Sequence, residues 1–365
     1  MDPLGIYIHV PFCGKKCSYC DFYSVAYSKA AAEDYADAVL RNIRHYSNKE
    51  RRVDTVYFGG GTPSLLTPEQ ISAVLSEISR CFSLDCDAEV TLEANPNTIT
   101  PQKLSDLRCA GINRLSLGVQ SLENEELKFL GRTSSAERAV KAVMDASAAG
   151  FDNISCDLMI GIPAQTPDSL RRSIAGLAKL PIQHISAYIL KIEDGTPFDC
   201  DEIRSILPDE DQTSDLYLLM VKLLEEHGFR QYEVSNFAKT GFESRHNCRY
   251  WKCLDYIGIG PSAHSCCYGK RFAVERDIAG FISSPVQETV ITDESPCGFE
   301  EYAMLRLRLK EGLDLSQTGS HRADIEKKIP SLLKAGYAEF DGKILSLTPE
   351  GFLMSNQIIE FIVFE

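Results

Sequence analysis

Three cysteines near the amino terminus have the chemistry and spacing of metal ligands. Cys13, Cys17 and Cys20 are four and then three residues apart, directly after an apolar run that predicts a strand. Thiolates are soft ligands that suit iron–sulfur clusters and zinc. A structural zinc site usually closes with a fourth Cys or His ligand, whereas this loop offers three. The spacing therefore favours a [4Fe-4S] cluster with one iron left open, and zinc is the alternative.

Further residues with ligand-binding chemistry follow the later predicted strands. Gly60, Gly61 and Thr62 belong to a glycine-rich turn, where backbone groups can approach a ligand closely, although such a run alone is often only a turn. Polar side chains lie in, at the end of or beyond the next strands: Glu93, Gln120, Arg132 and Asp157. Taken singly, each of these four residues is equally consistent with a polar side chain whose hydrogen bonds are satisfied within the protein, or with a surface residue. Their recurrence strand after strand favours contact with a ligand.

The elements that position these residues form an α/β pattern. Short β-branched runs predict six strands at residues 5–10, 53–58, 88–94, 114–119, 153–160 and 185–190. Amphipathic helical segments lie between them, with apolar residues at i, i+3, i+4 and i+7. This alternation predicts a parallel sheet with crossover helices. Six units favour a partial (βα)6 barrel over residues 1–195, with its ligands at the carboxyl ends of the strands.

Two further regions follow the barrel in sequence. Residues 196–296 predict an extension of the barrel with a loop-rich segment, and its last part, 283–296, has the composition of a linker. Residues 297–365 predict a small helical domain, with helices at 300–309 and 323–335, a hairpin at 338–347 and a last helix from 349. The order is that of a winged helix. Acidic residues outnumber basic ones there, which disfavours a DNA-reading wing.

The overall composition limits the classes of partner and compartment. The 365 residues carry a net charge of −14, which disfavours a nucleic acid as the main partner. The first residues contain neither a basic leader nor a long apolar run, so the sequence predicts no secretory signal, no transmembrane anchor and a cytoplasmic location. There the 13 cysteines stay reduced, and close cysteine spacings indicate metal ligands before disulfides.

Several motifs together resemble one family, the HemN/HemW family of radical S-adenosylmethionine (SAM) proteins. The CxxxCxxC loop is similar to the superfamily signature, and the other segments are YIHVPFC, YFGGGTPSLL, LEANP, LSLGVQS, LGRTSS, DLMIGIPAQTP and HNCRYW. The resemblance spans nearly the whole chain. It implies a [4Fe-4S] cluster, SAM as cofactor, and a contact of Tyr7, Gly60 and Glu93 with the cluster-bound SAM. It also places Gly61, Thr62, Gln120, Arg132 and Asp157 at the family's second SAM region, while the number of SAM molecules stays open.

Two departures from the oxygen-independent coproporphyrinogen III oxidases of this family favour its heme chaperone branch. The oxidase motif continues to a further cysteine, CxxxCxxCxC, where this chain has Phe22. The oxidases also carry an amino-terminal extension, whereas the first cluster ligand here is residue 13. A third feature, HNxxYW, resembles the heme-binding motif of the chaperones. It implies that His246, Asn247, Tyr250 and Trp251 bind heme, with the imidazole as an axial ligand and the rings against the porphyrin.

Two functions therefore follow from the resemblance. The first is a heme chaperone that delivers heme to apo-hemoproteins such as respiratory enzymes, which would make the chain a binding protein and not an enzyme. The second is an oxidase that decarboxylates two propionates of coproporphyrinogen III. Phe22 and the short amino terminus favour the first. Radical SAM modification of tRNA is disfavoured by the acidic charge. No catalytic residue is assigned, and a homodimer is an open alternative.

Overall fold

The fold is that of a computed structural model, which describes residues 2–364. In chain order the strands are β1 Leu4–Val10, β2 Phe12–Cys13, β3 Val25–Ala26, β4 Arg52–Gly60, β5 Ser83–Ala94, β6 Arg114–Gln120, β7 Ile154–Ile160, β8 His184–Ile189, β9 Arg230–Glu233, β10 Asn236–Ala238, β11 Tyr256–Ile259, β12 His264–Cys267, β13 Lys270–Val274, β14 Thr289–Asp293, β15 Leu313–Asp314, β16 Ala338–Phe340 and β17 Ile344–Leu347. The helices are α1 Lys29–His45, α2 Pro68–Cys81, α3 Pro101–Ala110, α4 Asn124–Phe129, α5 Ala136–Ala148, α6 Pro167–Ala178, α7 Asp201–Arg204, α8 Glu210–Glu226, α9 Arg245–Trp251, α10 Ile278–Ser283, α11 Phe299–Arg306, α12 Arg322–Ala335, α13 Pro349–Leu353 and α14 Ser355–Val363.

The centre of the main sheet is the predicted run of six parallel strands. Strands β1, β4, β5, β6, β7 and β8 are neighbours in that order, and each adjacent pair is parallel. At least one helix lies between each strand and the next along the chain. The prediction of a partial (βα)6 barrel is therefore confirmed, and the carboxyl ends of all six strands open on one side.

Local sequence signals explain why the crossover helices form where they do. Helix α2 begins after Thr67, whose side chain accepts from the Gln70 N–H while the Gln70 side chain accepts from the Thr67 N–H, a capping box. Pro68 occupies its first turn, where a missing N–H costs nothing. The predicted apolar stripe is fully buried against the sheet: Ile71, Val74, Leu75 and Ile78. Burying each such side chain contributes roughly 1.5–3 kcal/mol.

Further strands extend the parallel core at both edges: β11 is parallel to β1, and the strands beyond it and beyond β8 are antiparallel to their neighbours. Strands β11 to β14 continue the sheet beyond β1, and β10 and β9 continue it beyond β8. The prediction of a linker over 283–296 is wrong in part, because β14 pairs with β13 there. The β-branched sequence of β14 suits an extended strand, and Val290 and Ile291 at this sheet edge are exposed.

The carboxyl-terminal unit contains the predicted helices and hairpin. Strands β16 and β17 form the hairpin, β15 adds a third strand, and helices α11 to α14 surround this small sheet. The last predicted helix is divided into α13 and α14. Backbone hydrogen bonds from Val234 to Arg308 and from Lys310 to Tyr232 join the unit to the barrel extension. No helix within residues 2–364 is both long and apolar enough to cross a membrane.

Candidate cofactor site at the carboxyl ends of the strands

A cavity of about 350 Å³ lies where the carboxyl ends of the strands meet the cysteine loop. It brings together most of the predicted site residues, which come from separate strands and loops. Those that line it are Cys13, Cys17, Cys20, Gly60, Gly61, Thr62, Glu93, Gln120, Arg132, Asp157 and Asn247. The predicted residues that do not line it are Tyr7, His246, Tyr250 and Trp251.

The cysteine loop forms one wall of this cavity. The Cys13 thiol is hydrogen-bonded to the Thr62 hydroxyl at 3.6 Å, and the Arg132 Nη1 donates to Cys17 Sγ at 3.5 Å. Burial raises the pKa of Cys20, and the nearby Cys17 and Cys13 thiolates raise it further. The thiols are thus half-buried, close enough to interact electrostatically, and face a common space.

The residues present fit an iron–sulfur cluster. Within residues 2–364 no three His, Cys, Asp or Glu side chains are arranged to hold a metal ion. A [4Fe-4S] cluster requires a different arrangement of ligands from a single metal ion. Each thiolate binds a different iron, so the three sulfur atoms do not converge on one point. Arg132 supplies a cation beside Cys17, and its Nε is buried without a hydrogen-bond partner. A buried donor of this kind is costly unless a ligand satisfies it.

Glu93 is held at the end of β5 with its carboxylate in the cavity. It accepts hydrogen bonds from the Tyr57 hydroxyl at 2.8 Å and from the Gly60 N–H at 3.1 Å. Burial is the main reason that the pKa of Glu93 is raised to about 7, and nearby Asp157 raises it further. A cationic ligand would stabilise the charged form, and the ammonium of SAM is such a ligand.

The glycine turn leaves no space for larger residues. Gly60 has φ +110°, and a Cβ there would lie 2.7 Å from the His9 ring. A Cβ on Gly61 would lie 2.6 Å from the carbonyl oxygen of Phe12, just before Cys13. Glycine is therefore needed here to pack the turn against the cysteine loop, in addition to any contact of its backbone with a ligand.

Asp157 gives the cavity a second buried carboxylate. It accepts from the Ser116 hydroxyl at 3.2 Å, and burial is the main cause that raises its pKa to about 6. Gln120 lies nearby at the end of β6 with φ +71°, an unfavourable conformation for a residue with a Cβ. Strain of this kind is characteristic of functional sites.

Several lining residues were missed by the sequence reasoning. Tyr57, Arg114, Ser116, Ser186 and Tyr188 also face the cavity. They share an alternating pattern, since every second residue of a barrel strand points inward. Polar residues at alternate positions of otherwise apolar strands are the signal that would have found them. The fully buried Arg114 is the clearest case, because arginine rarely lies in a core strand without a partner.

Tyr7 is close to the cavity but does not line it. Its hydroxyl is hydrogen-bonded to His9 Nδ1 at 3.1 Å, and its ring stacks on that of His246 at 6.3 Å between centroids. The contact of Tyr7 with cluster-bound SAM that the resemblance implies stays a prediction.

The HNxxYW motif lies at the opposite, amino-terminal end of the barrel. The motif falls in the region 196–296 that the sequence predicts to contain a loop-rich segment, and that prediction is wrong here, because residues Arg245–Trp251 form helix α9. The Ser244 side chain accepts from the Asn247 N–H, and the Glu89 carboxylate accepts from the N–H groups of Arg245 and His246. These acceptors satisfy donors that a helix start leaves unpaired, so the helix is capped by the strand it covers.

His246 is enclosed in this arrangement. It has no exposed surface, and its Nδ1 and Nε2 are hydrogen-bonded to the Thr55 hydroxyl at 2.9 Å and the Tyr250 hydroxyl at 2.8 Å. Burial lowers the pKa of His246 to about 3, so the ring is neutral at pH 7. In this conformation the imidazole is therefore not accessible to a ligand, and its role as a heme ligand stays a prediction. Trp251 is half-buried. Within the motif, Asn247 alone lines the cavity.

Comparisons with known proteins agree with this architecture. Residues 7–175 match the family model described as the radical SAM superfamily, and residues 299–354 match the HemN C-terminal domain. The chain is 34% identical to heme chaperone HemW of Escherichia coli strain K12, over 100% of this chain and 99% of that protein. It is 41% identical to radical S-adenosyl methionine domain-containing protein 1, mitochondrial, of Bos taurus. That match covers 71% of this chain and 60% of the length of the bovine protein.

A solved structure shares the whole fold. It is that of coproporphyrinogen III oxidase (HemN) from Escherichia coli, with a TM-score of 0.83, 24% identity and coverage of 99% of this chain and 90% of that chain. At this identity the likeness concerns the fold. The full-length identity to the Escherichia coli relative is decisive, and the chain belongs to the HemW family of the radical SAM superfamily.

Proposed function

We propose that this protein is a heme chaperone that binds a [4Fe-4S] cluster and SAM and delivers heme to apo-hemoproteins. The observation that carries the proposal is the combination of a cluster-type cavity with full-length similarity to proteins named heme chaperone HemW. Phe22 adds support, because it lies beside the cavity, 60% exposed, where the oxidase motif has a further cysteine.

The cavity residues have distinct proposed tasks. Cys13, Cys17 and Cys20 hold the cluster, and Arg132 stabilises the charge of its thiolate ligands. Glu93 and the Gly60 backbone orient the amino group of SAM, while Gln120 and Asp157 contact its other polar groups. When bound, the reduced cluster and SAM supply radical chemistry. The buried carboxylates and the cysteine loop keep the ligands oriented.

Heme binding through the HNxxYW motif requires a change at the amino end of the barrel. Ligation by His246 displaces the hydrogen bond of one ring nitrogen, to Thr55 or to Tyr250. We infer that α9 moves away from the barrel when heme binds, so that His246 becomes the axial ligand and Tyr250 and Trp251 flank the porphyrin, with Asn247 beside it. The free energy of this opening lowers the apparent heme affinity.

The acceptors and the compartment are also part of the proposal. We infer that the acceptors are apo-hemoproteins such as respiratory enzymes, and that delivery takes place in the cytoplasm, where the many free cysteines stay reduced. Residues 1–195 carry the cluster and SAM, 196–296 carry the heme motif, and 297–365 form the HemN-type domain. A homodimer is compatible with this scheme.

A paired assay tests the proposal against the oxidase alternative. Protein reconstituted anaerobically with iron and sulfide is given SAM and coproporphyrinogen III in one tube, and heme followed by an apo-hemoprotein in the other. We expect heme transfer and no protoporphyrinogen. Sustained turnover of coproporphyrinogen III at about one per second or faster would instead establish the oxidase.

A variant tests the heme ligand. His246→Ala should shift the heme absorption band and weaken transfer, whereas Trp251→Ala should weaken binding with a smaller spectral shift, since it removes packing and leaves the imidazole. Equal spectra, affinity and delivery for wild type and His246→Ala would show that His246 is not the axial ligand.

A further inference from the structure

The deep end of the cavity holds a charged side chain without a partner. Arg114 begins β6 and lines the cavity, although the residue is only 1% exposed. Its Nε is buried without a hydrogen-bond partner, and within residues 2–364 its guanidinium forms no ion pair. The hydroxyl of Thr91, its neighbour in β5, is buried without a partner as well. A guanidinium stays charged in proteins, and a buried charge is costly unless an acceptor or counter-charge offsets it.

A second buried arginine shows how the chain meets this requirement elsewhere. Arg249 in α9 is 2% exposed, and its Nε donates to the Thr55 hydroxyl at 3.0 Å. Its Nη1 donates to the Pro3 carbonyl oxygen at 2.8 Å, and its Nη2 forms an ion pair with Asp54. The two arginines are buried to the same extent, so burial does not explain the difference between them. The contrast points to an acceptor for Arg114 that comes from outside the chain.

The groups nearest to Arg114 are engaged with other donors. Glu93 is held by hydrogen bonds from β4, and Asp157 by one from β6. His184 is hydrogen-bonded through both ring nitrogens. Burial raises the pKa of both carboxyls, to about 7 for Glu93 and about 6 for Asp157, and nearby Arg114 lowers each. Both are partly protonated near neutral pH, so they offset the charge of Arg114 incompletely.

The surroundings of Arg114 suit a small anionic group. A guanidinium presents parallel N–H donors that match the two oxygens of a carboxylate. Ser186 and Asn247 line the same cavity and add neutral hydrogen-bonding groups. The whole cavity is about 350 Å³ and would also hold SAM beside the cluster. The remaining space therefore suits one carboxylate group better than a whole macrocycle.

We propose that Arg114 binds the carboxylate of a second ligand at the deep end of the cavity, beneath the SAM that Glu93 orients. The carboxylate belongs either to the amino-acid end of a methionine-like molecule or to a propionate-type arm of a larger one. The site goes beyond the proposed heme function and does not depend on it, because no heme enters the measurement.

The experiment uses the full chain with its oxidised cluster and saturating SAM, so that the SAM site is filled. L-methionine, propionate and the uncharged amide of each are titrated in turn, and binding is followed by ligand-observed nuclear magnetic resonance. We expect at least one carboxylate to bind with a Kd of about 10 mM or tighter, and its amide to bind about tenfold more weakly or less. Tighter binding of methionine assigns the amino-acid end, and tighter binding of propionate assigns the propionate arm.

Variants of the arginine locate the binding. Arg114→Met removes the charge at similar length and should weaken carboxylate binding about tenfold or more, whereas Arg114→Lys keeps the charge without the fork and should weaken it less. The matched control is Arg108→Met, an exposed arginine of α3, which should bind like wild type. The SAM titration midpoint of Arg114→Met, read from the cluster's electron paramagnetic resonance spectrum, should stay within about threefold of wild type.

Three results would overturn the proposal. The first is wild-type protein that binds neither carboxylate more tightly than its amide, which would mean that water alone satisfies Arg114. The second is equal carboxylate affinity in wild type and Arg114→Met. The third is an equal loss of SAM and carboxylate binding in Arg114→Met, which would place Arg114 in the SAM site itself. The comparison of carboxylate with amide needs wild type alone, so a variant that fails to fold does not leave the question open.

Discussion

The two ends of one barrel differ in how completely their polar groups are satisfied. At the carboxyl ends of the strands, Glu93 and Asp157 are buried carboxylates with raised pKa values, and Arg132 Nε has no partner. At the amino ends, helix α9 gives Glu89 two backbone donors, and both ring nitrogens of His246 in this helix are hydrogen-bonded, to Thr55 of β4 and to Tyr250. A native protein tolerates unsatisfied groups mainly where a ligand completes them. We therefore assign the cluster and SAM to the carboxyl ends of the strands, which we call the open end. The amino ends, which α9 covers in this conformation, are the closed end.

Cluster loss is the largest effect expected at the open end. Cys17→Ala should abolish the broad thiolate-to-iron absorption and reduce iron from about four atoms per chain to background, because a cubane needs each thiolate. The matched control is Cys109→Ala, an exposed cysteine far from the cavity, which should keep the cluster. Bound zinc after anaerobic purification, or an intact cluster in Cys17→Ala, would refute the assignment.

Removal of the buried imidazole should be the largest effect at the closed end. His246→Ala leaves a cavity, unpairs the Tyr250 hydroxyl and removes one of the two hydrogen bonds of the Thr55 hydroxyl, so the free energy of unfolding should fall by about 2–4 kcal/mol. Denaturant unfolding of the cluster-free protein measures it. Cluster content after reconstitution should stay the same, because the cysteine loop lies at the other end. An unchanged free energy of unfolding would show that α9 does not close the barrel.

Two glutamates on the same strand give the sharpest contrast between the ends. Glu89 and Glu93 are four residues apart in β5 and so lie on one face of it. Glu93→Gln should weaken SAM binding about tenfold or more, because a charge-assisted hydrogen bond is lost. Glu89→Gln should leave SAM affinity within about twofold and lower the free energy of unfolding by about 1–3 kcal/mol. The reverse pattern would exchange the roles of the two ends.

The smallest expected effect is a pH dependence of stability in the cluster-free protein. Burial raises the pKa of Glu93 to about 7 and that of Asp157 to about 6, above the value near 4 of an unfolded carboxyl. Their contribution to stability is full below about pH 4 and is lost as pH rises through 6 and 7. Between pH 5 and 8 the melting temperature of wild type should therefore fall relative to that of Glu93→Gln. A difference that is constant with pH would show that Glu93 does not titrate in this range.

The sequence predicted the open end far better than the closed one. The six strands and the cysteine loop are local signals, since β-branched runs, helical periodicity and close cysteine spacing are visible within short segments. Glu93, Gln120 and Asp157 followed from the rule that ligands meet the carboxyl ends of parallel strands. Most of the predicted site residues therefore line the cavity.

The features that were missed depend on contacts between distant parts of the chain. Helix α9 is capped by Glu89, which is more than 150 residues away in sequence, so the motif alone gave no sign that it fills the barrel. Arg114 points inward because of the register in which β6 pairs with β5. Such pairings are set by packing and cannot be obtained from a local pattern.

The most direct test of the account is the electron paramagnetic resonance spectrum of the reduced cluster before and after SAM is added. SAM bound at the open iron changes the spectrum, so the titration reports binding at the cavity itself. We predict a full spectral change for wild type and Glu89→Gln at the same SAM concentration, and a titration midpoint about tenfold higher for Glu93→Gln. A Glu93→Gln midpoint equal to that of wild type, with a shifted midpoint in Glu89→Gln, would contradict the assignment of the SAM site to the carboxyl ends of the strands.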